Sequence, residues 1–492
     1  MRKEIILGIK RRNFIKGLSG SVVGSLLKIN PVSAKNNYDV AIIGAGLAGL
    51  NAAILLEKFG LKVIVLEANS RVGGKLLSEK NLDGTQEIGG TSIGSGYTRL
   101  NRLIDELNLD YYVPSANSPY FDNRSLLISI KGSSILSRSD WINSEHNPFK
   151  DEWREKYPWE SLRAFINNSN PLESVKDWYN PNFYQHDISL YKALSKFGFN
   201  KEQITMMSGI NPAHGDNAES ISVLQHYFSS TWVKNQRLKM NPNKPPIFQI
   251  VGGNDRIPKR MSKLLRGDLA LDYTVKLIEG NKNGVTLTNV AGKKLTASTV
   301  VSTIPLNALS KIEIRLDGIR KHNVDAIKSV GYSKVYLSFF KINNAYWEDG
   351  NLPSSMWTDT DLGRVFTVPG ENGTPAYLKT WATGNSASKL DAMDQDLALK
   401  NIHKKLINVR PSLRGNIQPI SSWSWQKEES AGGTYVAWQP NQIKKYSNTI
   451  SGPIPPLFLA GEYSAKTDRG MEGAMESGER AANEVIHYLG LS

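Results

Sequence analysis

The chain has 492 residues, 40% hydrophobic and 9% aromatic, more than one core ordinarily supports, so two packed domains are expected. It has no cysteine, which excludes disulfides, thiol nucleophiles and cysteinyl attachment of a cofactor, and its seven histidines lack ligand spacing, so no metal centre is expected. Its formal charge is +14, but residues 1–34 hold seven Lys/Arg against one acid, and the remaining +8 is spread among acids without a basic run, so no nucleic-acid partner is expected.

In chain order, the first distinct segment is Lys10-Arg11-Arg12-Asn13-Phe14-Ile15-Lys16, followed by a weakly apolar run from Gly17 to Leu27 and the small-residue site Val32-Ser33-Ala34. It resembles a twin-arginine signal peptide over residues 1–34. The apolar run is about half the ~20 residues needed to span a bilayer, so no stable membrane span is expected. The resemblance implies export by the twin-arginine translocase, already folded and carrying any cofactor, to the periplasm or the medium.

Next comes Tyr38-Asp-Val-Ala-Ile-Ile-Gly44-Ala-Gly46-Leu47-Ala48-Gly49, a buried strand followed by G-x-G-x-x-G opening a helix. Gly44 makes the tight turn, Gly46 lets backbone approach a pyrophosphate, and Gly49 lets helix pack on strand. The pyrophosphate would sit on the helix N-terminus, where unpaired N–H groups and the dipole favour an anion. A second buried strand, Lys62-Val-Ile-Val-Leu-Glu67, delivers an acid about 20 residues on, where it reaches a ribose hydroxyl. The pattern specifies a dinucleotide site.

Arg71-Val-Gly73-Gly74-Lys75 follows Glu67-Ala68, then Glu87-Ile-Gly89-Gly90-Thr91, and far away Phe458-Leu-Ala-Gly461-Glu462-Tyr463 and Gly470-Met471-Glu472-Gly473-Ala474. These blocks, in this order, resemble the flavin-containing amine oxidase family over nearly the whole chain after residue 37. The resemblance implies FAD as cofactor. It also implies a two-domain α/β fold in which a Rossmann-like FAD-binding domain of the glutathione-reductase type carries an inserted, mixed α+β substrate domain. Glu462 resembles the family acid on the ribityl or ribose side, and the helix beginning near Gly470 would aim its N–H groups at the flavin O2 region. Lys75 stands where arginine is usual and offers a point charge instead of a planar fork at the phosphates.

The FAD domain is expected from residues 35–105, 247–312 and 420–492, the middle piece opening at Gly252-Gly253…Ile257-Pro258 and containing the strand Thr299-Val-Val-Ser-Thr-Ile-Pro305. Residues 106–246, helical and aromatic-rich, and 313–419, strand-rich, form the substrate domain, with the site where the domains meet. Trp141, Trp153, Trp159, Trp178 and Trp232 in the helical part read as core packing ahead of a ligand cage.

The expected chemistry moves a hydride equivalent from the carbon bearing nitrogen to flavin N5, which demands position and dryness. The amine must be neutral, and desolvation by aromatic walls favours that form. In the resemblance, Lys311 after Pro305 matches a lysine that touches N5 through water. Tyr435, in Gly432-Gly433-Thr434-Tyr435-Val-Ala-Trp438, matches one wall of an aromatic cage. Thr434 stands where monoamine oxidases carry a flavin-linked cysteine, so FAD is expected to be noncovalent. Gly470 replaces the second wall, with Trp438 or Trp425 as substitutes.

The family's L-amino acid oxidases follow the Glu-Ile-Gly block with an arginine that forks the substrate carboxylate. Here the block reads Gly89-Gly90-Thr91-Ser92-Ile93-Gly94, which favours a carboxylate-free amine, with Arg99 or Arg364 as other anchors and His214 and His226 near the pocket. The expected function is an exported FAD-dependent oxidase of primary or secondary amines, giving an imine, then a carbonyl compound and ammonia, with oxygen reduced to hydrogen peroxide. The alternatives are an L-amino acid oxidase, an amine dehydrogenase using a periplasmic cytochrome, and a noncatalytic flavin-binding partner protein.

Overall fold

The apolar run at Tyr38 forms the strand Tyr38–Ile43, whose last four residues are buried. The computed structural model describes residues 37–82, 86–113, 126–208, 217–370 and 374–491; the signal-like segment and His214 lie outside them. Tyr38–Ile43 belongs to an eight-stranded sheet ordered Asp268–Ala270, Val63–Leu66, Tyr38–Ile43, Lys294–Ser302, Gly284–Asn289, Val275–Asn281, Glu313–Leu316. Lys294–Ser302 is long enough to change partners. Its first half pairs antiparallel with Gly284–Asn289, and its second half pairs parallel with Leu457–Leu459. Strands in the parallel part read as unbroken apolar runs because both faces are covered. This is the α/β architecture expected, a parallel nucleotide-binding layer with an antiparallel ribbon.

The helix Leu47–Lys58 and the C-terminal helix Gly470–Tyr488 cover one face together. They approach backbone to backbone: a Cβ on Gly478 would lie 2.4 Å from the Ala48 carbonyl oxygen, and Asn51 Nδ2 donates to the Met475 carbonyl at 2.8 Å.

A second, seven-stranded sheet runs Ile417–Ser424, Val335–Ile342, Pro375–Thr383, Arg364–Pro369, Ser355–Thr358, Leu126–Ile130, Ser133–Ile135. Side chains alternate across it. Tyr336, Phe340 and Leu378 pack on the helix Gln395–Val409, whereas Val335, Leu337, Phe339 and Phe366 face Ile88 and Trp425 of the nucleotide-binding side. Between the sheets lie the helices Pro158–Ser169, Lys201–Ser208 and Val223–Leu238, with Trp141, Trp159 and Trp178 buried in their core. Glu313–Leu316 pairs with the first sheet and Ile417–Ser424 with the second, so sheet membership crosses the seams expected at 312 and 420 by a few residues. Leu126–Ile130 adds a parallel strand to Ser355–Thr358 from a stretch read as helical.

Candidate active site

The glycine turn has the geometry its spacing demands. Gly44 has φ +104°, where a Cβ would meet Thr303 and Ile304 at 2.8 and 2.9 Å, and a Cβ on Gly49 would lie 2.0 Å from the Gly44 carbonyl oxygen. Around Gly46, by contrast, a Cβ would meet nothing within 4 Å. The bare backbone at the start of Leu47–Lys58 is therefore open to a pyrophosphate, and the residues fit a dinucleotide. Leu47 and Ala48 are buried beneath the turn.

Glu67 is buried at the end of the second strand, its Oε2 accepting from the Ala45 N–H at 2.8 Å and its Oε1 from Asn69 N and Nδ2 at 3.0 and 2.8 Å. Ala68 follows as an exposed residue. Arg71 Nη1 donates to the Gly74 carbonyl at 3.0 Å, bracing the loop as it returns to the glycine turn through Gly73 N and Ala45 O at 2.8 Å.

The distant blocks meet. A Cβ on Gly90 would stand 3.4 Å from Met471 Sδ; Gly90 and Thr91 are held through their carbonyls by Asn254 Nδ2 and Gln249 Nε2, each at 2.6 Å. Gly461 N donates to Ser477 Oγ at 2.8 Å, tying the Gly461-Glu462 turn to the helix that carries Met471 and Ala474. Gly470 is exposed at φ +57° with open space beside it.

Lys75 does not stay at the phosphate turn. Gly73 and Gly74, at φ +111° and +54°, swing the chain away, and Lys75 Nζ donates to the Thr434 carbonyl while lying 5.1 Å above the Tyr332 ring. Burial lowers the Lys75 pKa against the pull of Glu462, and burial raises Glu462, whose Oε2 accepts from Val436 N at 3.1 Å. Lys75 and Glu462 thus form a charge couple at the Thr434 wall.

That wall is clamped from behind. Thr434 N and Oγ1 donate to the Ser333 carbonyl at 3.0 and 2.9 Å, Ser333 N donates to the Tyr435 carbonyl at 2.8 Å, and Gly331–Tyr332 pairs antiparallel with Val436–Ala437. Gly433 fits only as glycine, since its Cβ would meet Tyr332 Cβ at 2.6 Å. Tyr435 is held half-buried in this segment, its phenol pushed well up by burial.

Lys311 is exposed on the turn before Glu313–Leu316, just past the short helix Leu306–Leu309, whose Asn307 Nδ2 donates to the Gly432 carbonyl at 2.6 Å and whose Leu306 N donates to the Tyr332 hydroxyl at 3.0 Å. Two expected roles fail. Trp438 is buried against Trp178, with ring centroids 6.0 Å apart, so it is core and not a pocket wall. Trp425 is buried on Gly89 and donates to the Ile88 carbonyl at 3.2 Å. Arg99 is engaged by Asp468, Glu472 and Glu479, and the Arg364 guanidinium lies 5.0 Å over the Phe366 ring. His226 is buried in Val223–Leu238 next to Gln225, whose Nε2 donates to the Val436 carbonyl at 2.9 Å, and burial and Arg469 hold its pKa down at about 3. Tyr332 was missed; it carries no motif.

A second buried couple joins the two sheets. Lys379 Nζ donates to the Glu87 carbonyl at 2.9 Å and lies 5.1 and 5.3 Å from the Phe339 and Trp381 rings; the Glu87 carboxylate accepts from Asn254 N and Ser78 Oγ, each at 2.8 Å. Burial pushes Glu87 up to about 7 and Lys379 down to about 7. Glu87 stabilises fully below the ordinary carboxylate range and loses that contribution as pH rises through about 7. Lys379 stabilises fully above the ordinary lysine range and loses its contribution as pH falls to about 7. Stability of the wild type relative to a Glu87→Gln/Lys379→Met variant is therefore expected to be lowest near pH 7, rising by about 1 kcal/mol per pH unit on either side. Urea unfolding of both proteins across that window is the check; a flat difference would refute it.

The glycine turn with its buried acid, the switching strand and the C-terminal helix that closes the cradle define an FAD-dependent oxidoreductase. Residues 47–486 match the family of flavin containing amine oxidoreductases, and the chain belongs to it. It is an amine oxidoreductase and its cofactor is FAD. Amine oxidase [flavin-containing] A of Equus caballus is 24% identical over 482 residues, covering 93% of this chain and 86% of that protein. Amine oxidase [flavin-containing] B of Homo sapiens is 25% identical, covering 92% and 87%. Among solved structures, putrescine oxidase bound to putrescine superposes with TM-score 0.72 at 20% identity, covering 92% of this chain and 99% of that one. Cyclohexylamine oxidase from Brevibacterium oxydans IH-35A gives 0.73 at 21%, with 92% of this chain covered. Among the described residues no helix is long and apolar enough to cross a membrane, and no group of three metal-ligating side chains converges.

Proposed function

We propose that the chain is an exported oxidase of a primary or secondary amine, holding FAD noncovalently and using oxygen as terminal acceptor, with hydrogen peroxide as product. The observation that carries this reading is Tyr435, presented half-buried by the Ser333–Thr434 clamp beside the Lys75–Glu462 couple. Bound FAD supplies the two-electron acceptor for the hydride leaving the carbon that bears nitrogen. The Tyr435 ring forms one wall, excludes water and favours the neutral amine, whose lone pair drives the transfer. Water then converts the released imine to a carbonyl compound and ammonia, or, where the substrate is a secondary amine, to a carbonyl compound and a primary amine. Thr434 in place of a thiol supports a noncovalent cofactor, and the Lys10–Ala34 segment supports twin-arginine export to the periplasm or medium.

The test is anaerobic mixing of the holoprotein with primary amines, polyamines and L-amino acids while the visible band of the oxidised flavin is followed. Bleaching within turnover time by at least one class is expected, with a Tyr435→Ala variant slower by about ten- to a hundredfold. If nothing bleaches the flavin, the oxidase reading falls to the binding-protein alternative; fast turnover with cytochrome but not oxygen would move it to the dehydrogenase.

A further inference from the structure

The backbone of residues 432–438, which carries Tyr435, is held by side chains reaching in from separate stretches of the chain. Asn307 Nδ2 donates to the Gly432 carbonyl at 2.6 Å, Glu462 Oε2 accepts from Val436 N at 3.1 Å, and Gln225 donates to the Val436 carbonyl and accepts from Trp438 N, at 2.9 and 2.6 Å. Lys75 Nζ donates to the Thr434 carbonyl, in the peptide bond that leads into Tyr435, with the Tyr332 ring 5.1 Å beneath it. Lys75 differs from the others in where its own backbone is fixed. Two residues earlier, Gly73 N donates to the Ala45 carbonyl at 2.8 Å, inside the glycine turn, and a Cβ on Gly74 would lie 3.5 Å from Gly46 Cα. Gly73 and Gly74 take φ +111° and +54°, values that other side chains rarely adopt, so the bend that sends Lys75 to Thr434 is written into the sequence. One end of Lys75 is thus built on the loop that receives a pyrophosphate, and the other on the wall of the amine site.

We propose that Lys75 is a positioning residue of the amine site: it fixes the Tyr435 wall through the Thr434 carbonyl and ties that wall to the phosphate loop, and it does not hold the phosphates itself. This rests on the reading of Tyr435 as a wall against which the amine lies. A hydrogen bond from an ammonium to a carbonyl is about twice as strong as a neutral one, and the face of the Tyr332 ring supports the same cation. Arginine, usual at this position, carries a planar fork matched to phosphate, whereas lysine carries a compact charge on a flexible stem that settles on a single oxygen. Exchanging one for the other moves a cation from the cofactor to the substrate wall. Because one residue touches both, ordering of the phosphate loop by FAD and ordering of the wall favour each other.

The experiment compares holoproteins of the wild type, Lys75→Met, Lys75→Arg, Tyr435→Ala and the Lys75→Met/Tyr435→Ala double variant. Hydrogen–deuterium exchange read by mass spectrometry is expected to be at least about tenfold faster at residues 432–438 in Lys75→Met, with FAD affinity within about threefold of the wild type. Lys75→Arg, which keeps a cation able to donate, is expected to load FAD and to fall between the two in exchange at the wall. For the amine that bleaches the flavin fastest, Lys75→Met is expected to lower kcat/KM by about tenfold, but by less than about twofold where Tyr435 is already alanine, because Lys75 acts through that ring. Exchange at the wall that matches the wild type in Lys75→Met or in Lys75→Arg would overturn the proposal, and a loss of FAD affinity by more than about tenfold alongside it would return Lys75 to the phosphates. Equal losses of kcat/KM in the two backgrounds would overturn it as well. If no amine bleaches the flavin, the oxidase reading fails, and exchange at the wall together with FAD affinity still decides where Lys75 acts.

Discussion

A Gly49→Ala variant is expected to purify colourless, with FAD affinity reduced by more than about a hundredfold. The added methyl carbon would sit 2.0 Å from the Gly44 carbonyl oxygen and 2.8 Å from Thr303 Oγ1. Neither neighbour can yield. The Gly44 oxygen is backbone, and Thr303 Oγ1 is anchored by its bonds to the Ile43 and Gly44 carbonyls at 2.9 and 3.1 Å. Relief therefore requires the helix Leu47–Lys58 to lift from the strand, which moves the N–H groups that receive the pyrophosphate. A Gly46→Ala variant separates folding from binding, because its methyl meets no protein atom within 4 Å yet fills the approach to the phosphates. It should match the wild-type apoprotein in thermal unfolding while binding FAD more weakly. Flavin content after purification and reconstitution titrations with FAD decide both points; a Gly49→Ala protein that retains its flavin would remove this turn from the cofactor site.

Replacing Arg99 by methionine is expected to cost about 3 kcal/mol of unfolding free energy. Asp468 and Glu472 are almost fully buried, and Arg99 Nη1 lies 3.2 and 3.3 Å from them while its Nε reaches Glu479 at 2.7 Å. Methionine fills much of the volume but leaves two buried carboxylates without their cation. Both keep other donors, Glu472 from the Arg99 and Leu100 N–H groups and Asp468 from Trp232 and Gln236, which holds the loss toward the low end for a broken buried pair. Urea unfolding measures it. Lysine at this position should recover only part, since it cannot reproduce the fork that serves three carboxylates. A loss below about 0.5 kcal/mol would mean that the backbone donors alone satisfy Glu472 and Asp468.

The nucleotide-binding half was legible because its signals are local: an apolar strand, a turn that needs glycine, and an acid at a fixed distance. Gly44, Gly46, Gly49 and Glu67 stand where those signals placed them. Side chains whose destination depends on distant pairing were not legible. Lys75 looked like a phosphate contact, and two left-handed glycines redirect it to Thr434. Leu126–Ile130 is buried at every position and shows no alternation, so an aromatic-rich helical neighbourhood concealed a strand.

The way Lys294–Ser302 accepts Leu457–Leu459, with Gly470–Tyr488 laid across Leu47–Lys58, also sets an order of events at the ribosome. The first glycine turn emerges early, but its cradle has no closing wall until Gly470–Tyr488 has been translated. A polypeptide cut before Gly470 contains the phosphate turn and still lacks Met471 against Gly90, so tight flavin capture reports that the Gly470–Tyr488 helix has been made and docked.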